Sequence, residues 1–224
     1  MQQHKSSRLD DYIEYSAPEM LKRSVQFYQD VKRRHSIRKF SDRPVSKDII
    51  ENCIRAAGTA PSGANHQPWH FVAVSSAEIK KQIREQAEHH ERGFYQGRAG
   101  EEWLEALKDL GTDAEKPYLE HAPWLIAIFS QKKGGITIEE KNTNYYVHES
   151  VGIATGFLIN ALHSSGLVTL THTPKPMSFL SKICGRSDNE RAYMLLVAGY
   201  PAEDATVPEH AQVKKPLEDI ATFL

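Results

Sequence analysis

The sequence predicts an α+β fold in which helices surround one β-sheet. Four short apolar runs have the length and composition of buried strands. Longer segments between them carry apolar residues at every third or fourth position, the spacing of one helix face. Helices and strands alternate imperfectly, with about four strands and six or more helices. The 224 residues, 40% of them apolar, are sufficient for one core, so we expect a single domain over residues 1–224.

Three helices are predicted in the first half of the chain. The first starts at about Pro18, because apolar residues recur at helical spacing at Met20, Leu21, Val25, Tyr28 and Val31. The second begins after Ser46, a good N-cap residue, and stops at Gly58. Ser75 and Glu78 have the spacing of a capping box and predict the start of the third.

The four predicted strands are the runs WHFVAV, PWLIAIFS, LVTLTHT and AYMLLVAGY. A long helix is predicted from Asn142 to Ser165, with apolar residues on nearly all sides, so it requires burial all round. Its small residues suit close packing at a dimer interface, although a core helix within one subunit is the alternative. The tail at about 210–224 is also apolar, and we expect it to pack on a partner subunit.

Charge and missing motifs exclude several classes of protein. The net charge of −1 argues against a nucleic-acid-binding protein. The sequence has no GxxxxGK[ST], no GxGxxG after a strand, no HExxH and no GxSxG, so a P-loop, a Rossmann site, a zinc protease and a hydrolase elbow have no support. No metal site is predicted. The first residues, MQQHKSSRLDDY, are polar, so we expect a soluble, cytoplasmic protein without a membrane anchor.

The stretch RHSIRKF concentrates positive charge in a sequence that is otherwise balanced. Arg34, Ser36 and Arg38 fall at alternate positions, so in an extended chain they point to the same side. Two guanidinium groups and a hydroxyl could bind a phosphate monoester through charge-assisted hydrogen bonds. The alternative is an exposed basic end of a helix, which the helix dipole favours. The spacing leaves both interpretations open.

A charged segment at about 89–116 has weak periodicity, and we interpret it as a mobile lid. A short helix is predicted inside it, through Trp103, Leu104 and Leu107 and ending at Gly111. The segment TAPSGANHQP, residues 59–68, is predicted to be a loop because of its glycine and two prolines. Polar residues in such segments usually form a solvated surface, so the composition of the lid does not reveal a ligand.

Four separate motifs together resemble the nitroreductase-like flavoproteins. They are RRHSIRKF, PSGANHQPW, THTP and VAGYP. The resemblance covers about Phe27 to Leu217 and narrows to the iodotyrosine deiodinase family at the lid. The lid segments that match are EQAEHHERGFY, GEEWLEALKDL and EKPYLEHAPW, and general nitroreductases lack this lid. The resemblance implies a central, mostly antiparallel sheet flanked by helices, in a homodimer of the domain-swapped type.

The resemblance also implies that FMN binds at the subunit interface. The motif that holds its phosphate and ribityl chain matches Arg34, His35, Ser36, Ile37 and Arg38. The loop that reaches the flavin from the other subunit matches Pro61, Ser62, Gly63, Ala64 and Asn65. Thr171, His172 and Thr173 match the segment beside the isoalloxazine ring. Lys214 matches a position where the family often has an arginine near the phosphate, and lysine keeps the charge without the bidentate fork.

The implied activity is FMN-dependent reductive dehalogenation of halotyrosines, with 3-iodotyrosine giving tyrosine and iodide. Glu91, Tyr95 and Lys116 match the residues that bind the amino-acid end of the substrate, and the amide of Ala64 would bind its phenolate. Thr173 would tune the flavin through a hydrogen bond to N5, or would only cap the strand before Pro174. NAD(P)H would supply the electrons, directly or through a reductase. A general nitroreductase or quinone reductase and a non-catalytic FMN- or halotyrosine-binding protein are the alternatives.

Overall fold

The computed structural model describes residues 6–93, 95, 100, 102, 105, 107, 112–137 and 139–224. The chain forms two compact units, Met1–Arg34 and His35–Leu224. The smaller unit contains helix α1 (Ala17–Lys32), with a proline in its first turn, as the apolar spacing predicted. None of its residues is buried, and Met20, Leu21, Val25, Phe27 and Tyr28 are each more than half exposed. This helix therefore presents an apolar surface that its own unit does not cover.

The larger unit is built on a four-stranded sheet. Its strands are β1 (Trp69–Val74), β2 (Trp124–Gln131), β5 (Val168–His172) and β6 (Glu190–Gly199), which correspond to the four predicted apolar runs. The order across the sheet is β1-β2-β6-β5, and all three neighbouring pairs are antiparallel. The α+β class and the antiparallel sheet are thus confirmed.

Helices cover both faces of this sheet. Residues of α2 (Lys47–Gly58) and α5 (Val147–Ser164) form the core on one face. Residues of α3 (Ala77–Gly93), α4 (Tyr118–His121) and α6 (Ser178–Ile183) form the core on the other. The site described below lies at the end of the sheet on the side of α3 and α4.

Strand β2 joins the two cores. Its first seven residues are buried, and successive side chains point to opposite faces. Leu125 and Phe129 belong to the core beside α3, whereas Ile126 and Ile128 belong to the core beside α5. Each such side chain contributes roughly 1.5–3 kcal/mol by its burial. An unbroken apolar run is therefore what a central strand with two covered faces requires.

The predicted start of the long helix was wrong. Helix α5 begins at Val147, and Asn142–Thr143 instead forms β4, which pairs with β3 (Lys133–Gly134) in a small hairpin. Tyr146 has a left-handed backbone conformation, with φ of 49°, and a right-handed helix cannot continue back through such a residue. Burial on all sides is also not reached within one chain, because Ile153 and Phe157 on the outer face of α5 are each 43% exposed.

The two predicted helix caps had different outcomes. Ser46 caps α2 as expected, because the Asp48 N–H donates to its hydroxyl at 3.3 Å. Ser75 was the wrong cap for α3. That helix begins at Ala77, and the residue directly before it, Ser76, accepts the N–H of Ile79 at 3.4 Å through its hydroxyl. The N-cap must precede the first helical residue, so a shift of one residue moves the cap to Ser76.

The C-terminal segment contains α7 (Glu209–Gln212) and a 3₁₀ turn, Leu217–Asp219. Its apolar side chains are more than half exposed at Val213, Leu217, Ile220, Phe223 and Leu224. An apolar tail that stays outside its own core is typical of a segment with a binding partner. Among the described helices, none is both long and apolar enough to cross a bilayer.

Candidate functional site

A cavity of about 250 Å³ lies at the end of β5. Its walls come from three regions that are remote in sequence: the basic motif, the stretch from the end of α3 through the lid to Tyr118, and the end of β5 with the residues that follow it. They are Arg38, Glu91, Tyr95, Leu107, Thr112, Lys116, Tyr118, Leu170, Thr171, His172, Thr173 and Lys175. The tertiary structure therefore joins three of the four predicted substrate-binding residues, one arginine of the basic motif and the predicted flavin-side segment in one cavity.

The basic motif reaches the cavity because it runs beside β5. Ser36 forms an isolated parallel bridge with Thr169, and the N–H of Ile37 donates to the Thr169 carbonyl at 3.1 Å. The side chain of Ile37 is buried in the core, so the next residue, Arg38, lies on the opposite side and lines the cavity. The extended path expected for Ser36 to Arg38 is consistent with these contacts.

Glu91 and Lys116 form an ion pair in the wall of the cavity. Glu91 lies in the last turn of α3, and Lys116 lies just before α4. The Lys116 Nζ is 3.7 Å from the Glu91 carboxylate, and the side chains are only 5% and 15% exposed. The Lys116 ammonium also donates to the Asp113 carbonyl and lies 5.7 Å from the centre of the Tyr95 ring. Three side chains assigned through the resemblance thus lie together.

Burial destabilises the charged form of both side chains in this pair. It raises the pKa of Glu91 and lowers the pKa of Lys116, and in each case the charged partner opposes the effect of burial. A ligand that carries an ammonium and a carboxylate can replace the contact and leave both protein charges compensated. A ligand with only one charge would leave the other buried and unpaired. The arrangement is suited to a zwitterion.

Tyr118 is a cavity residue that the sequence analysis missed. Its hydroxyl lies 3.5 Å from Nδ1 of His172, and the two rings meet edge to face with centroids 5.9 Å apart. Burial raises the pKa of Tyr118 and lowers the pKa of His172 to about 3, so His172 is neutral. In the described part of the chain, its Nε2 is buried without a hydrogen-bond partner. The signal for Tyr118 was its place in EKPYLEHAPW, two residues after Lys116.

The loop Pro61–Asn65 does not line the cavity of its own chain, which is lined by other described residues. Ala64 and Asn65 have positive φ angles of 50° and 56°. A Cβ on Gly63 would lie 2.6 Å from the carbonyl oxygen of Tyr145, so only glycine fits there. The loop is held against α5, because the N–H of Gly63 donates to Ser150 Oγ at 3.3 Å. The position of the loop is compatible with contact to the flavin of a second subunit, and this contact stays a prediction.

Several predicted site residues are not brought to the cavity. Lys214 is on the exposed C-terminal segment, where its ammonium donates to the Ala211 carbonyl at 2.5 Å. His35 is half-buried and does not line the cavity. Arg34 ends the smaller unit, where its N–H donates to the Val31 carbonyl. Most of the predicted lid helix, including Trp103, Leu104 and Gly111, lies outside the described residues, whereas Leu107 lines the cavity.

Known sequences and a family profile match most of the chain. The Nitroreductase family profile matches residues 31–200. The iodotyrosine deiodinase of Haliscomenobacter hydrossis is 50% identical over 196 residues, which cover 88% of this chain and 88% of the relative. Iodotyrosine deiodinase 1 of Homo sapiens is 44% identical over 207 residues, which cover 92% of this chain and 71% of the relative.

Comparison with solved structures gives the same fold. A crystal structure of oxidised iodotyrosine deiodinase bound to FMN and 3-iodo-L-tyrosine superimposes with a TM-score of 0.73 at 29% identity. The match covers 88% of this chain and all of that one. A BluB-like flavoprotein from Clostridium difficile 630, at 22% identity and a TM-score of 0.66 over 88% of this chain and 98% of that one, shares the fold.

Proposed function

The chain belongs to the nitroreductase family and within it to the iodotyrosine deiodinases, and from this premise we propose how its cavity removes iodine from 3-iodotyrosine. The protein is an FMN-dependent oxidoreductase, and its reaction is the reductive dehalogenation of halotyrosines. In this reaction the aryl carbon–iodine bond is replaced by a carbon–hydrogen bond, with the uptake of two electrons and one proton and the release of iodide.

The observation that carries this proposal is the meeting of the Glu91–Lys116 pair with Arg38 and Thr171–Thr173 in one cavity. The first set is suited to the charged end of an amino acid. The second set lies where the resemblance places the flavin. A general nitroreductase has no need of a buried, opposite-charge pair directly beside the flavin segment, so the pair favours an amino-acid substrate.

The residues present fit FMN. Arg38 supplies a guanidinium and Thr171 and Thr173 supply hydroxyls in the cavity wall, while Leu170 supplies an apolar surface. This mixture of apolar wall and few polar groups is typical of cofactor sites. The resemblance assigns Arg34 and Ser36 to the FMN phosphate, and Thr173 is the proposed partner of N5. FMN, when bound and reduced, supplies the two electrons.

The substrate is proposed to replace the internal ion pair with two new ones. Its ammonium pairs with Glu91, its carboxylate pairs with Lys116, and Tyr95 covers the ring. Closure of the lid excludes water, which strengthens each of these contacts. The amide of Ala64, an exposed residue for which no backbone hydrogen bond of its N–H is described, is the proposed donor to the phenolate, contributed by a second copy of the chain.

We propose a homodimer as the active form, with NAD(P)H as the source of electrons, directly or through a reductase. Support for the dimer comes from three exposed apolar surfaces: α1, the outer face of α5 and the C-terminal segment. The loop Pro61–Asn65, which does not line its own cavity, is the element that a dimer would bring to the partner's flavin.

An anaerobic assay tests the function. The FMN-loaded protein is reduced with dithionite in stoichiometric amount, 3-iodotyrosine is added, and iodide, tyrosine and the return of the oxidised flavin spectrum are measured. We expect one iodide and one tyrosine per flavin reoxidised. Reoxidation by nitroaromatic compounds without any iodide from iodotyrosine would instead support a general nitroreductase. Tight binding of iodotyrosine without reoxidation would support a binding protein.

A further inference from the structure

Helix α3 carries a row of polar side chains that contacts the segment directly after the lid, from Lys116 to Ala122. The row consists of Lys80, Arg84, Glu88 and Glu91, spaced by three or four residues and therefore on one face of the helix. We call it the polar ladder. We propose that Glu88, through this ladder, is a positioning residue that holds Lys116 in place for the substrate carboxylate. The proposal rests on the deiodinase function given above.

Glu88 binds the backbone of Lys116. Its side chain is 3% exposed, and Oε1 accepts the N–H of Lys116 at 2.8 Å in a buried hydrogen bond. Glu88 is not among the described residues that line the cavity. Glu88 fixes the backbone of Lys116 and, through it, the position of the Lys116 side chain. One turn further along α3, Glu91 meets the Nζ of the same lysine, so the helix holds this residue at both ends.

The charge of Glu88 is compensated from the other side. Its second oxygen, Oε2, accepts from Arg84 at 2.7 Å and from Arg92 at 3.4 Å. One oxygen therefore faces a backbone donor and the other faces two guanidinium groups. A carboxylate accepts from all three donors. The amide of a glutamine has only one oxygen, so its NH₂ group would face either the Lys116 N–H or the two guanidinium groups, where no acceptor is present.

The lower part of the ladder fixes the chain that follows Lys116. The Lys80 ammonium donates to the carbonyls of Glu120 and Ala122 at 2.8 and 2.7 Å, and Arg84 donates to the Glu120 carboxylate at 2.9 Å. Lys80 is itself buried, so its two carbonyl partners satisfy a charge that could not be left alone. The segment from Lys116 to Ala122 is thus attached to α3 at three points.

The ladder joins the two ends of the lid. The chain leaves α3 after Gly93 and returns at Lys116, and the ladder holds the returning chain on the helix it left. Contacts outside the cavity therefore hold the backbone from which the Lys116 side chain reaches Glu91. Preorganisation of this kind lowers the entropic cost of binding the zwitterion and is expected to affect substrate affinity more than the flavin chemistry.

The test compares Glu88→Gln and Glu88→Ala in the FMN-loaded full-length protein. We expect the KM and Kd for 3-iodotyrosine to rise about tenfold in Glu88→Gln, the loss expected for one charge-assisted hydrogen bond, with kcat within about twofold. Turnover of 2-iodophenol, which has no amino-acid end, should stay unchanged. Hydrogen exchange of the peptide 112–119 should be faster in Glu88→Ala. Glu78→Gln, at an exposed position on the same helix whose carboxylate accepts from Gln82 and lies outside the ladder, is the matched control.

Four outcomes distinguish failure of the Glu88 proposal from failure of the proposed deiodinase function. Unchanged KM, Kd and exchange in both variants would overturn the role of Glu88. Equal losses on iodotyrosine and on 2-iodophenol would also overturn it, because they indicate a general structural defect. Wild-type protein that binds iodotyrosine but releases no iodide would contradict deiodination alone, and Kd would still test Glu88. Wild-type protein without iodotyrosine binding would overturn both.

Discussion

The Nζ of Lys116 lies 3.7 Å from the carboxylate of Glu91, and both side chains are largely shielded from solvent. These two residues come from opposite ends of the lid. Their contact joins the two ends of the lid beside the end of β5. A zwitterionic substrate is proposed to take over each of these two charges as a partner.

The first prediction concerns this pair. Glu91→Gln or Lys116→Gln should raise the KM for 3-iodotyrosine about 10- to 100-fold, because each leaves one buried charge without a partner. FMN content should not change. The double variant should lose less than the product of the two single effects, since both remove the same contact.

Steady-state kinetics and flavin absorbance measure these effects. Lys81→Gln, an exposed position on α3, serves as control and should behave like the wild type. Single variants with wild-type KM would contradict the assignment of Glu91 and Lys116, whatever the behaviour of the double variant.

The second prediction concerns Thr173. Thr173→Ala should lower kcat about tenfold with little change in the KM for iodotyrosine, because it removes a hydrogen bond to the flavin and no contact to the amino-acid end. The reduction potential of the bound flavin should shift in parallel. Thr173→Ser keeps the hydroxyl and should restore both values. A threonine that only caps the strand before Pro174 would show loss of thermal stability in the alanine variant with an unchanged potential.

The third prediction concerns acid stability. The pKa of His172 is lowered to about 3 by burial, and Lys116 adds to the effect. The unfolded chain takes up a proton at this histidine below about pH 6.5 and the folded chain does not. Its contribution to stability is therefore complete above pH 6.5 and is lost as the pH falls toward 3. At pH 5 the free energy of unfolding should be about 2 kcal/mol lower than at pH 7 through this residue.

Urea unfolding at pH 5, 6 and 7 with FMN in fixed excess measures this slope. His172→Gln should have a smaller loss between pH 7 and pH 5 than the wild type. His121→Gln, at an exposed position, should keep the wild-type slope. Parallel slopes for the wild type and His172→Gln would contradict the assignment of a buried, neutral imidazole.

The fourth prediction concerns the dimer. Phe157 is on the outer face of α5 and 43% exposed, in line with Ile153 one turn before it. Phe157→Glu should place a charge in the proposed interface and convert the proposed dimer to monomer, with loss of FMN because each flavin is proposed to contact residues of both chains. Sedimentation velocity and the ratio of flavin to protein absorbance report the two effects. Lys182→Glu on α6 is the control, and a dimeric, yellow Phe157→Glu protein would exclude this face from the interface.

Particular residues show how far the sequence could be interpreted. The four strands were predicted within a residue or two because each is an apolar run that a sheet with two covered faces requires. The start of α5 was missed because Tyr146 takes a left-handed conformation that its residue type does not indicate. Ser75 and Ser76 are adjacent hydroxyl residues, so the pattern could not decide between them.

Some residues of the candidate site could be identified from the sequence, and others only from the structure. Glu91, Tyr95 and Lys116 were identified through a resemblance, because charged residues in a polar segment have no distinctive spacing of their own. Tyr118 and Glu88 were not identified at all. Their significance depends on which atoms they meet across the fold, His172 for one and the backbone of Lys116 for the other.

The sequence by itself determined the fold class, the strands and the family, because these depend on local periodicity and on motifs whose members lie close together in the chain. Only the tertiary structure decided that Arg38, Thr173 and the Glu91–Lys116 pair share one cavity. The physical reason is that burial and charge compensation depend on distances in space. A buried ion pair is stable only where the fold brings its partner and removes water from both.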